Sequence, residues 1–251
     1  RKEYGDPTWL TRYHYDQNGN RIRVEGPEAP AELSEYDDQD RILNNGAGIS
    51  FVHNESGERT QREDVYNVQS TYYSYNALGV LTSLSDTSWG SISYQVDGYS
   101  RRVTRTLNSV RTARYIYENG LRIAAEFDES NGVLKRFVYS DGINAPDYME
   151  YMGERYVLIK DVRGSVVKVV NSKSGEVMQE ISYGDFGQTL MDTNPGYQPF
   201  GFAGGLVDQD SKLVRFGARE YDPETGRWTS KDPILFRGGD TNLYGYVLAD
   251  P

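Results

Sequence analysis

A chain of 251 residues is long enough for one large β domain or two small domains, but a mean hydropathy of -0.70 with 25% charged residues is too polar for a compact two-layer core. Its 21 Tyr and 13% aromatic content exclude a disordered chain and suit strands that are only half buried, because tyrosine has an apolar face and a polar tip. A net charge of -10 opposes binding to nucleic acid or anionic membranes through this segment, and the absence of Cys excludes disulfides, a thiol nucleophile and Cys-ligated metal.

The chain opens mid-pattern at Arg1-Lys-Glu-Tyr4 and reads as a piece of something longer. An internal repeat follows: aromatic residues at alternate positions, then Asp or Asn, a Gly turn, and an aliphatic or Arg strand. The first clear copy is Tyr13-His-Tyr-Asp-Gln-Asn-Gly-Asn-Arg-Ile22. His14 and Asp16 fall on one face of that copy, so His14 reads as a surface strand residue rather than half of a catalytic pair. Pro27-Glu-Ala-Pro30 reads as a loop between hairpins, and a looser copy begins at Tyr36. His53 is the second of two isolated histidines; no His/Asp cluster or H-E-x-x-H pattern predicts a metal. The charged run Glu58 to Val65 is expected to be a loop or a single turn.

The next clear copy is Tyr73-Ser-Tyr-Asn-Ala-Leu-Gly-Val-Leu81, and a looser one begins at Tyr94. Tyr115-Ile-Tyr-Glu-Asn-Gly-Leu-Arg-Ile123 and Phe127-Asp-Glu-Ser-Asn-Gly-Val-Leu134 follow, with another loose copy at Tyr183. Asn18-Gly19, Asn119-Gly120 and Asn131-Gly132 supply the positive φ of tight turns, so each unit is predicted to be a β-hairpin. The Asp or Asn before the turn can bond turn amides through its side chain, and successive hairpins stack edge to edge. No apolar run approaches the ~20 residues of a membrane-spanning helix.

From Tyr156 the pattern changes, through Tyr156-Val-Leu-Ile-Lys-Asp-Val-Arg-Gly-Ser-Val166, Tyr183-Gly-Asp-Phe-Gly187 and Pro199-Phe-Gly-Phe-Ala-Gly204. Leu213-Val-Arg-Phe-Gly-Ala218 leads into Arg219-Glu-Tyr-Asp-Pro-Glu-Thr-Gly-Arg-Trp-Thr-Ser-Lys-Asp-Pro-Ile234, then Gly238-Gly-Asp-Thr-Asn-Leu-Tyr-Gly-Tyr246. Order and spacing resemble the core signature of the Rhs, or YD-repeat, family: R-x-Y-D-P-x-x-G-R-W/F-x-x-x-D-P, then G-G-x-N-x-Y-x-Y. The matching signature positions are Tyr221, Asp222, Pro223, Gly226, Trp228, Pro233, Gly238, Gly239, Asn242, Tyr244 and Tyr246.

The resemblance implies an all-β fold in which stacked YD-repeat hairpins form a spiralling, cocoon-like sheet closed by the core domain. Residues 1–155 correspond to the repeat sheet and 156–251 to the core region, with its signature at 213–246. It also implies a function: part of a hollow shell of a bacterial polymorphic toxin, sequestering a C-terminal effector that self-cleavage releases inside. Implied partners are that effector, further shell-forming chains or secretion-system proteins; the implied location is secreted or cell-surface. No cofactor is implied. An acidic shell would suit a basic cargo, though the same charge also keeps a large β surface in solution.

In self-cleaving members of the family, an aspartate in one D-P motif works with another in a later D-P-x-G-L motif. The first maps onto Asp232, with Leu235 where relatives often carry Gly. Asp250-Pro251 corresponds to a step just before the second motif, so the chain as given is expected to lack one carboxylate and to be inactive as a single-turnover aspartic autoprotease. Arg227 or Arg219 is expected to pair with Asp232 and keep it ionised, unless it forms an ordinary cross-strand ion pair. Asp222-Pro-Glu-Thr-Gly226 reads most simply as a hairpin turn. Trp228 and Phe216 are expected to pack the plug of the shell. The alternative class is an extracellular adhesion or carbohydrate-recognition module built of YD repeats.

Overall fold

Alternation of apolar and polar residues sets up the strands, and the computed structural model describes them over residues 11–26, 32–140 and 144–247. The stretches Arg1–Tyr4, Pro27–Pro30 and Asp250–Pro251 lie outside the described residues. A first three-stranded sheet contains β1 (Arg12–Tyr15), β2 (Arg21–Glu25) and β3 (Glu32–Leu33).

A sixteen-stranded sheet follows, with every strand antiparallel to its sequence neighbour. Its first half is β4 (Glu35–Tyr36), β5 (Ile42–Asn44), β6 (Ile49–His53), β7 (Arg59–Asp64), β8 (Gln69–Tyr75), β9 (Leu81–Asp86), β10 (Gly90–Val96) and β11 (Arg102–Leu107). Its second half is β12 (Val110–Asn119), β13 (Arg122–Phe127), β14 (Val133–Val138), β15 (Tyr148–Tyr151), β16 (Glu154–Lys160), β17 (Val166–Asn171), β18 (Val177–Tyr183) and β19 (Thr189–Asp192). The sheet passes through β16 without a break at position 155. A small four-stranded sheet of β20 (Leu206–Val207), β21 (Val214–Phe216), β22 (Arg219–Asp222) and β23 (Arg227–Trp228) completes the fold. The all-β expectation of stacked hairpins holds.

Side-chain period two decides the faces. In β10, Ile92 and Tyr94 point into the core while Ser91 and Ser93 face solvent; in β8, Thr71 and Tyr73 point in and Tyr72 and Ser74 point out. The turns at one end of the strands share one construction. An Asp or Asn side chain accepts bonds from the amides two and four residues on, as Asp16 does from Asn18 and Asn20, Asn76 from Leu78 and Val80, and Asp161 from Arg163 and Ser165. The third residue after it takes positive φ, Gly19 at 77° and Gly79 at 71°; at the opposite end of the strands the turn opened by Asp128 does the same with Asn131 at 65°. In the Asn131-Gly132 pair it is therefore the Asn, not the Gly, that adopts the left-handed conformation.

The run expected to be a loop, Glu58 to Val65, instead contains β7. Its charges are compatible with a strand because Arg59, only 1% exposed, finds a buried carboxylate across the molecule. The sheet also curls. The Tyr13 hydroxyl donates to Asp185 at 2.7 Å, Tyr13 and Phe186 meet edge to face at 5.0 Å, and the Arg21 guanidinium lies 4.2 Å from the Phe186 ring centre. The first hairpin thus meets the turn after β18, and β20–β23 lie in the mouth formed by the ring of Asx turns. Apolar clusters fill the curl around Tyr73, Leu84, Ile92, Tyr94 and Leu213, and around Tyr115, Ile123, Met149, Leu158 and Phe200.

Candidate functional site: the cap and the Asp232 pocket

The segment from Phe200 to Tyr246 acts as a cap, and charge holds it in place. Asp222 receives a 2.6 Å bond from Arg59, with both side chains buried, and a second from the Thr225 hydroxyl at 3.0 Å. Burial alone would raise the Asp222 carboxyl; the charge of Arg59, its hydrogen bond and the Thr225 hydroxyl outweigh it and hold the group below the ordinary carboxylate range. Glu220, 1% exposed, is shared by Arg102 at 3.0 Å and Arg215. Asp208 receives Tyr94 and Arg105, each at 2.7 Å. There too burial opposes ionisation, but Arg105, Arg102 and the Tyr94 hydroxyl outweigh it, and the carboxyl sits far below its usual range. Arg62 binds the Glu224 carboxylate with two bonds of 3.1 Å, and Arg21 donates to the Glu224 carbonyl at 2.9 Å.

The arginines that receive the cap stand outside the residues expected from the sequence, yet they carry a positional signal. Arg21, Arg59 and Arg102 each stand five residues after the Asp or Asn that opens a turn: Asp16, Asn54 and Asp97. At the intervening turns that same inward position holds Ile42, Leu81 and Ile123, all buried. Arginine and aliphatic residues thus alternate from hairpin to hairpin along the rim.

The signature residues build the cap's interior. Tyr221, fully buried, donates to the Phe186 carbonyl at 2.8 Å, and it packs with Phe202, Phe216, Trp228 and Tyr246 as an aromatic cluster, as expected for Trp228 and Phe216. Pro223 and Gly226 shape the turn after Asp222; Gly226, at φ 71°, returns a 2.8 Å bond to the Asp222 carbonyl. Asp222 therefore serves as turn opener and ion-pair partner at once. Asn242 donates to the Asn18 carbonyl and to Asn20, and the Tyr244 hydroxyl donates to the Gly57 carbonyl at 2.7 Å. Gly239, at φ 86°, ends the turn that begins at Pro233 and runs through Gly238.

Asp232 lies at the margin of the cap. Arg219 donates to its carboxylate at 2.8 Å while stacking 3.9 Å from the Trp228 ring centre, and the Ile234 amide donates to the other oxygen at 2.9 Å. Asp232, Arg219 and Trp228, with Leu235 and Asp240, border a pocket of about 250 Å³. Leu235 takes φ 51°, a conformation at which Gly is at ease, so the Leu substitution leaves the turn and the carboxylate in place at some strain. Arg227 does not reach Asp232. Residues 227 and 228 point to opposite faces of β23, so Arg227 turns to Asn20 at 2.6 Å, the Asp40 carbonyl at 2.7 Å and Asn242 at 3.1 Å, leaving the aspartate to Arg219.

The two histidines are far apart in role. His14 stands exposed, 3.5 Å from Glu25. His53 is half-buried beside Tyr244, and its removal from water, with the charges of Arg59 and Arg41, pushes its pKa down to about 3. Among the described residues no three His, Asp or Glu side chains gather as a metal site, and no helix is long and apolar enough to cross a membrane.

A family model described as Teneurin YD-shell matches residues 4–246. The chain is 32% identical over 232 residues to Teneurin-1 of Gallus gallus, and 31% identical over 244 residues to Teneurin-4 of Mus musculus. These alignments take in 90% and 94% of this chain but only 8% of each relative. Among solved structures, TcdB2-TccC3 superposes with a TM-score of 0.55 at 16% identity, covering 96% of this chain and 17% of that one. The Photorhabdus luminescens Tc holotoxin pore gives 0.54 at 16% identity, with 96% and 16% covered, so the fold is shared.

Proposed function

Because the chain belongs to the Teneurin YD-shell family, we propose that it is a structural encapsulation module, one part of a hollow β shell that sequesters a C-terminal effector. The observation that supports this is the cap: a strand-rich segment held across the turn end of a curled sheet by buried ion pairs closes that end to passage. The residues up to β19 are the wall, and the signature stretch closes it. Further shell-forming chains or secretion-system proteins would complete the enclosure, at a secreted or cell-surface location, in a bacterium.

In this proposal the parent protein cuts itself once, in cis, with Asp232 as one of two aspartates and Arg219 as its supporting charge. An aspartic dyad needs one carboxyl ionised as base and one protonated as acid. Asp232, held by the 2.8 Å bond from Arg219, is proposed as the base of that pair and the second aspartate as the acid.

A second reading, an extracellular adhesion or carbohydrate-recognition module, draws on the identity of about one third to animal proteins. The same wall would then enclose nothing.

Intact mass of the parent gene product, beside its Asp232→Asn form, separates these. Two fragments from the wild type and one from the variant are expected. Cleavage in both would remove Asp232 from the reaction, and cleavage in neither would favour adhesion. Arg219→Ala should slow cleavage by roughly tenfold or more, the scale of a lost charge-assisted hydrogen bond.

A further inference from the structure

A cleft of about 640 Å³ lies at the seam of the curl, shares no lining residue with the Asp232 pocket, and falls in the ordinary size range of ligand sites. One wall is β19, the last strand of the sixteen-stranded sheet, whose outer edge has no strand partner among the described residues. The opposite wall presents Trp89, half-buried, with no hydrogen-bond partner for its indole N–H among the described residues. The side-chain amides of Gln188 and Gln209 border the same space, also without a bonded partner there. Leu213 and Val207 supply an apolar floor.

Charge narrows the ligand. Arg62, Asp192, Asp210, Asp222 and Glu224 all line the cleft, and each is already bonded to a protein group. Lys212 is the one lining ion with no partner among the described residues. It also sits at φ 61°, a conformation that a lysine adopts at a cost and a glycine adopts freely. Its loop is fixed from below: buried Asp208 accepts the amides of Asp210 and Ser211 while holding Tyr94 and Arg105. The fold therefore holds a strained, exposed ammonium with no carboxylate partner among the described residues, at a cleft whose other ions are all bonded to protein groups.

We propose that this cleft is a docking site for an extended peptide carrying a carboxylate side chain. The peptide adds a strand to the free edge of β19, places its acidic side chain on Lys212, and rests an apolar side chain against Trp89 and Leu213. An open strand edge asks for a backbone rather than a sugar or a small ion, and the unmatched positive charge selects an acidic one.

The test is fluorescence anisotropy of this chain with a labelled octapeptide, Thr-Val-Thr-Glu-Val-Thr-Val-Thr, alongside thermal unfolding of each variant. Saturable binding below about 1 mM is expected, weakened roughly tenfold by Lys212→Gly and by replacing the peptide's Glu with Gln. Lys212→Gly should melt no lower than the parent, since it relieves a positive-φ residue, so lost binding cannot be ascribed to unfolding. A peptide with a central Pro should not bind. The proposal is overturned by no saturation, by equal binding of parent and Lys212→Gly, by equal binding of the Pro peptide, or by maltotriose displacing the octapeptide from the cleft.

Discussion

Arg59 shows what a single side chain does in this fold. It is 1% exposed, stacks 4.3 Å from the Phe51 ring centre, and pairs with Asp222 at 2.6 Å. Removing one member of a buried pair leaves a stranded charge, so Arg59→Ala or Asp222→Ala should cost about 3–5 kcal/mol, read from denaturant midpoints. Replacing both together, as Arg59→Met with Asp222→Leu, should cost much less than the sum of the two. His53 governs acid sensitivity. Its folded pKa of about 3 lies below the unfolded value of about 6.5, so between those values the unfolded chain binds one more proton. Stability should then fall by up to about 1.4 kcal/mol per unit as pH drops below 6.5, and His53→Gln should flatten that slope in chemical denaturation. Asp208 and Asp222 behave otherwise: their depressed values keep their contribution intact above about pH 4 and lose it only below. A parent that holds constant stability from pH 6.5 to 4.5 would disprove the role given to His53.

At the scale of the hairpin, the turn that reads Asp or Asn, then a positive-φ residue three positions on, was legible because its chemistry is local. Aromatic alternation marked the strands for the same reason. The strand at Arg59–Asp64 was not legible, since its charges become reasonable only once a carboxylate more than 150 positions later is in place. Which of Arg219 and Arg227 pairs with Asp232 was not legible for a related cause: nearness in sequence says nothing about which face of a two-residue strand a side chain takes. Turn glycines differ in what surrounds them. Gly19, at φ 77°, has nothing within 4 Å of where a Cβ would stand, so Gly19→Ala should cost only the left-handed penalty, about 1–2 kcal/mol. Gly187, at φ 86°, would drive a Cβ into the Phe202 ring beneath the cap, and Gly187→Ala should cost about 3 kcal/mol or more. Equal melting of the two variants would show that the cap does not bear on that turn.

Over the whole molecule, the low mean hydropathy and the well-filled interior are reconciled by where the charges go. Arg59, Arg102, Asp208, Arg215 and Glu220 are all inside: Arg59 and Arg102 pair across the boundary between wall and cap, and Arg215 pairs with Glu220 within the cap. Such a boundary is screened little by salt, and wall and cap should unfold together. Amides of β7, β11 and β22 are expected to share one hydrogen-exchange class; faster exchange confined to β22 would show a cap that lifts off alone. The alternation of arginine and aliphatic residues at Arg21, Ile42, Arg59, Leu81, Arg102 and Ile123 has a further consequence for ancestry. Tandem repeats commonly gain and lose copies, yet one hairpin inserted within this arc would set aliphatic groups beneath the cap's carboxylates and bury the arginines against its apolar side. Two hairpins would restore the pattern of types but still displace every contact beyond the insertion. Copy number under the cap is thus a counted quantity with parity, and the freedom to lengthen lies in the repeats the cap does not touch.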